Sequence, residues 1–116
     1  MMDRMGKVTT PFLREIKKKG YMKPLRILGL DIGVEYQEDL AREFNRSGHY
    51  DSYHKRIKID SGSSTQHQNL TLLHEVLEVL DTEMQLGLNH DTQLCKLEMG
   101  LWQVFRDNPH LLDIFK

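Results

Sequence analysis

The chain has 116 residues, of which 39% are hydrophobic and 28% charged, and a formal net charge of −1. That length fits one domain with a modest core, and the single cysteine, Cys95, excludes an internal disulfide framework. No run of about 18 apolar residues occurs, so no membrane span is expected; the first residues lack the apolar stretch of a secretory signal, and the expected compartment is the cytoplasm.

The charge is unevenly spread. Residues 1–26 carry +6 and residues 27–116 carry −7. A basic arm of this kind can touch nucleic acid or an acidic partner. No aromatic stacking pattern accompanies it, so a solvated extension that offsets an acidic body is the favoured reading. Within the arm, Thr10-Pro11 and Gly20 have the marks of a cap, a first helical position and a terminator, which predicts a short helix.

Leu25 to Tyr36 predicts extended structure, with Gly29 at a turn or bulge between two short strands. Glu38 to Phe44 could form one or two helical turns. Residues 48–60 predict an antiparallel hairpin, with Tyr50 and Tyr53 in the first half, Ile57 and Ile59 alternating in the second, and a polar turn at His54-Lys55-Arg56. Ser61 to Ser64 breaks the chain, and Thr65 with Gln68 offers a capping box for a helix over about 66–85. Leu70, Leu73, Leu77, Leu80 and Met84 follow its period, while Leu72, Val76 and Val79 fill another face, so the helix should be buried nearly all round. Gly87 is the expected terminator. A second helix is predicted from Asp91 to Asp107, with Leu94, Leu97, Leu101, Trp102, Val104 and Phe105 as its apolar set, stopped by Asn108-Pro109. The fold class is therefore α+β: a small antiparallel sheet of three or four short strands, a central helix and a second packed helix.

The chemistry concentrates in His74-Glu75-Val76-Leu77-Glu78. Residues four apart share a helix face, so His74 and Glu78 can hold one ion. Glu75 lies about 100° around the axis, beside that ion, where it can act as a general base toward water. Zinc accepts carboxylate oxygen, so a glutamate in place of a second histidine keeps the site. It also makes the site friendlier to harder divalent ions such as manganese. A third ligand is needed, and His90, just after the turn that follows the helix, is the leading candidate. His67 lies two turns earlier, roughly 10 Å away, too far to share the ion. His49 or His54 could reach a substrate from the hairpin. A polar cluster in a Leu- and Val-rich helix needs a partner, because unpaired buried charge is expensive. A polar stripe facing water is the plain alternative. Cys95 reads as a small core residue, and Tyr50 and Tyr53 as cross-strand packing rather than oxyanion donors.

The stretches LLHEVLEVLD, LGLNH and LEMGLWQVFRDNP, with RILGLDIGVEY and RIKID upstream, resemble the small phage and prophage proteins with a zincin-like fold, a metallopeptidase-like group. The resemblance covers about residues 25–109. It implies a zincin-like domain over 25–116 behind a basic extension at 1–24. It further implies zinc or another divalent metal on His74, Glu78 and His90, with Glu75 as the base. For a metal-dependent peptidase, an edge strand, expected at 56–60, would hold an extended peptide or protein substrate by strand addition. Two other functions fit parts of the sequence. A catalytically inactive scaffold could serve as a binding module through its basic arm. The order His74, His90-Asp91, Asp107 matches an all-helical phosphohydrolase, against which the strand-like segments argue.

Overall fold

A computed structural model describes residues 21–40 and 46–116. The helix expected over Thr10–Gly20, the basic arm before residue 21 and most of the helical segment expected over Glu38–Phe44 lie outside the described residues. The described chain is α+β. Strands β1 (Tyr21–Ile27), β2 (Leu30–Gln37), β3 (Gly48–Asp51) and β4 (Arg56–Asp60) are followed by helix α1 (Thr65–Met84), a π-helical turn (His90–Leu94), helix α2 (Cys95–Asp107) and a last short helix, α3 (Leu111–Ile114). No helix among the described residues is long and apolar enough to cross a membrane.

β1 and β2 form a tight hairpin. Ile27 pairs with Leu30, so only Leu28 and Gly29 make the turn, and both have positive φ, 53° and 79°. This backbone matches the twist of the flanking strands. Glycine adopts it freely, whereas leucine does so at a cost. β1 begins at Tyr21, ahead of the expected Leu25, and its register shifts between Met22 and Leu25. Pro24 falls in that shift, on an edge strand, where a missing N–H is tolerated.

The sheet is mixed rather than antiparallel. Its strand order is β1-β2-β4-β3, and β2 runs parallel to β4, with Val34 beside Ile57 and Tyr36 beside Ile59. The β3–β4 hairpin is antiparallel, as predicted. The reason for the difference lies in the side chains. β2 and β4 each bury an alternating apolar pair, Ile32/Val34 and Ile57/Ile59, and these four with Val79 of α1 make the core cluster. Placing the two apolar strands side by side buries them best, which sends the short, polar β3 to the edge. β4, expected to be the edge, is an interior strand.

α1 starts one residue earlier than its predicted capping box. Ser64 is the N-cap, and its hydroxyl accepts from the His67 amide. Gln68 turns outward to Ser61 and Ser63, donating to both carbonyls. The helix ends on Gln85 in the left-handed conformation (φ 55°), while Gly87 (φ 71°) serves the loop beyond. α1 is not buried all round. Thr71, Glu75, Leu77 and Val79 are buried and Met84 is exposed. Leu72, Val76 and Val79 face the sheet. Each such side chain is worth about 1.5–3 kcal/mol when removed from water, enough to fix the helix's rotation and so the direction of its polar face. α2 packs more loosely than predicted: none of its residues is fully buried, and Leu97 and Val104 are exposed.

Candidate metal centre

A cavity of about 500 Å³ opens between α1, the start of β3, the π-helical turn and α2. His67, Leu70, Thr71, His74, Glu75 and Glu78 of α1 line one wall. They recur at the helical spacing of one face. Arg46, Ser47 and Gly48 line the wall opposite, at the edge of the sheet, and His90 and Glu98 close the end.

Three predicted ligands converge there. His74 Nε2 lies 2.9 Å from His90 Nε2 and 3.9 Å from Glu78 Oε2, and His90 Nε2 lies 3.7 Å from Glu78 Oε2. The loop explains how His90 returns. His74 lies roughly 15 Å back along α1 from Met84 by helical rise. Residues 85–89 turn the chain back through the left-handed conformations of Gln85 and Gly87. Asp81 holds the loop by accepting from the Leu88 amide at 2.9 Å. Asn89 then caps the π-helical turn, its side chain accepting from the amides of Asp91 and Thr92. That turn gives His90 its placement, and wide turns of this type concentrate at functional sites.

The imidazole protons decide what the cluster can hold. His74 Nδ1 lies 2.6 Å from Glu98 Oε1, and His90 Nδ1 lies 3.1 Å from Asp91 Oδ1. With a carboxylate beside each Nδ1, the tautomer that carries both protons on Nδ1 turns the two Nε2 lone pairs toward the Glu78 oxygen. Those three atoms are close enough together to hold one cation. Donors on a tetrahedral ion with bonds of about 2.0–2.1 Å lie about 3.3–3.4 Å apart, and the observed edges bracket that spacing. The residues therefore fit a metal ion. Two imidazoles and a carboxylate form the ligand set of open zinc sites, with one position left over, and the Glu98–His74 contact is the outer support such ligands receive.

Cys95, read from sequence as a core residue, is half-buried, and its sulfur lies within reach of His74 and Glu98 as a second possible ligand group. Burial pushes its thiol upward, and Glu98, Asp91 and Glu78 add to the rise. This favours the neutral thiol over the thiolate a metal needs, and His74 Nδ1 is already engaged by Glu98. The His74–Glu78–His90 set is the better site.

Glu75 is the buried member, only 4% exposed. Burial pushes its carboxyl up to about 7, Glu78 adds to the rise, and Arg46 and His90 oppose it. Its carboxyl has no hydrogen-bond partner among the described residues. It fits there because residue 48 is glycine. A Cβ at Gly48 would stand 2.6 Å from the Thr71 methyl and 2.9 Å from Glu75 Oε2.

Tyr50, Tyr53 and His54 of the hairpin stay out of the site. The Tyr50 hydroxyl donates to Glu83 at 2.8 Å, Tyr53 is 87% exposed, and His54 pairs with Asp51. Asp91, needed by the phosphohydrolase reading, is exposed beside His90, and the four-stranded sheet excludes an all-helical fold. Three contributors escape the sequence reading, Glu98, Gly48 and Arg46, while His67, too far along α1 to share an ion with His74, lines the cavity. Glu98 had a signal, since Leu94, Glu98 and Leu101 share one helical stripe and an acid among leucines marks an inward polar position.

Comparison with family models, curated proteins and solved structures finds no match to this chain.

Proposed function

We propose that this chain is a zinc-dependent, zincin-like hydrolase that cuts peptide bonds. The observation that supports it most is the triangle of His74 Nε2, Glu78 Oε2 and His90 Nε2, backed by Glu98 and flanked by the buried carboxyl of Glu75. Zinc held by the three ligands would supply Lewis acidity beside Glu75. Glu75 takes a proton from water as the water oxygen bonds to the peptide carbonyl carbon. It returns that proton to the leaving nitrogen as the carbon–nitrogen bond breaks. The edge strand beside the site is β3, not β4, so an extended peptide would lie along β3, where Ser47 and Gly48 border the cavity.

Metal content tests the site. Protein purified without chelator or histidine tag should carry one zinc per chain by mass spectrometry. His74→Ala and His90→Ala should each lose it by more than the roughly 10- to 100-fold that removing an outer support costs. Glu75→Gln should keep the zinc and lose peptide hydrolysis. A chain that takes up no zinc when it is supplied would move the assignment to a binding module.

A further inference from the structure

The cavity has two ends of different character. At one end stand His74, Glu78 and His90. At the other stand Arg46, Ser47 and His67, and Leu70 and Thr71 lie between. His67 Nε2 and Ser47 Oγ are 3.1 Å apart, and an Arg46 guanidinium nitrogen is 3.3 Å from His49 Nδ1. This contact occupies one of five guanidinium hydrogens, and Arg46 still borders the cavity. A dication at the triad would balance the charges of Glu78 and Glu98, leaving Glu75 as the carboxyl that Arg46 faces. In the Glu75→Gln protein the Arg46 guanidinium, beside the Ser47–His67 pair, is then the positive group of the cavity with hydrogens to donate to an oxyanion.

We propose that this far end is a carboxylate-binding subsite, so that the cavity takes an extended peptide bearing a carboxylate about three residues from the bond presented to the triad. The proposal rests on the peptidase reading above. The spacing comes from the helix. His67 and His74 are seven residues apart, or roughly 10 Å along α1, and an extended peptide covers that distance in about three residues. Leu70 between the ends suits a small or apolar side chain on the intervening residues, while the Thr71 methyl is packed against Gly48. The carboxylate could be the free C-terminus of the peptide or an aspartate or glutamate side chain, since Arg46 would bind either in the same way.

The test is calorimetric binding of three probes to the zinc-loaded Glu75→Gln protein and to the same protein treated with chelator. The probes are acetyl-penta-alanine as the free acid, the same peptide as its C-terminal amide, and the amide with aspartate at its last position. Zinc content is measured on every sample. At least one acid should bind about 10-fold more tightly than the plain amide, and Arg46→Gln should remove that preference while Arg46→Lys keeps part of it. Preference for the free acid alone identifies a C-terminal carboxylate, and preference for the aspartyl amide identifies a side chain. Equal binding of acids and amide, absence of binding by all three, or a preference that survives Arg46→Gln would overturn the proposal. Zinc uptake without an acid preference sinks the subsite and leaves the metal site standing. An acid preference that persists in chelated protein, in a chain that never takes zinc, upholds the subsite and sinks the peptidase reading.

Discussion

Glu75 and Glu83 sit on the same helix and both reach toward the β3–β4 hairpin, yet they end in opposite states. Glu83 accepts from the Tyr50 hydroxyl and from Lys55 Nζ, each at 2.8 Å. Those two contacts hold its carboxyl below the usual range. In return, burial and then the Glu83 carboxylate push the Tyr50 phenol up to about 12. Glu75 meets Gly48, which offers no side chain, and its carboxyl is pushed up to about 7 by burial and by Glu78. The C-terminal end of the helix carries a polar cluster that satisfies itself. Its middle collects imidazoles and carboxylates around a buried carboxyl with no hydrogen-bond partner among the described residues. Natural folds satisfy buried polar groups unless a function needs them poised, so the unsatisfied middle is where a ligand fits.

The largest effect that would sharpen this contrast comes from Glu75 itself. A carboxyl raised from 4.5 to about 7 binds its proton more tightly in the folded state. Its contribution to stability is therefore fully present below pH 4.5 and lost as pH rises through 7, by about 3 kcal/mol. Urea unfolding of chelator-treated protein should show stability falling between pH 5 and 8, and Glu75→Gln should lack that component. The same slope in both proteins would remove Glu75 from its buried, unpaired role. Next in size is Gly48→Ala. The added methyl meets Thr71 at 2.6 Å and Glu75 at 2.9 Å, both buried, so the strand or the helix must shift. Overpacking of this kind costs about 1–3 kcal/mol. Thr71→Ser, which removes the methyl, should recover part of it in a double-mutant cycle. Gly33→Ala, whose nearest neighbour would be 3.8 Å away, is the control that should cost much less.

The two hairpins, the long helix and the grouping of His74, Glu78 and His90 were legible in the sequence, because each is written in local pattern: alternation, a turn glycine, and an i, i+4 pair followed by a histidine one loop later. It did not show the parallel pairing of β2 with β4, since strand order is settled by which apolar faces bury best together and not by any one segment. Nor did it show Glu98 and Gly48, whose roles exist only where two distant elements meet. His67 was set aside for its distance from the ion. The distance argument holds, but it concerns ligation alone, and a cavity longer than one ion brings His67 into the site by another route.

The third effect falls at the poised middle of the helix. Glu98→Ala removes the acceptor of the His74 Nδ1 proton, a short contact of 2.6 Å between partly buried groups. The ring then loses its fixed tautomer and orientation, and zinc affinity should fall about 10- to 100-fold in a competition titration with a chromophoric chelator. Glu98→Gln retains a carbonyl acceptor and should lose less. Equal affinity in Glu98→Ala and wild type would mean that the triangle orients itself.

The smallest effect belongs to the satisfied end. Glu83 has its carboxyl depressed below 4.5, so its contribution to stability is present above that pH and lost as the pH falls through the lower folded value. Glu83→Gln should therefore soften the acid limb of the stability curve, the reverse of what Glu75→Gln does at neutral pH. The pair with Lys55 is partly solvated, so added salt should weaken the difference. Zinc binding should be untouched by Glu83→Gln, because Glu83 shares no polar contact with His74, Glu75 or Glu78 among the described residues. A change in zinc affinity on removing Glu83 would show that the hairpin end and the metal site act as one network, and the contrast between the two glutamates would then reflect a single balance of charge along the helix.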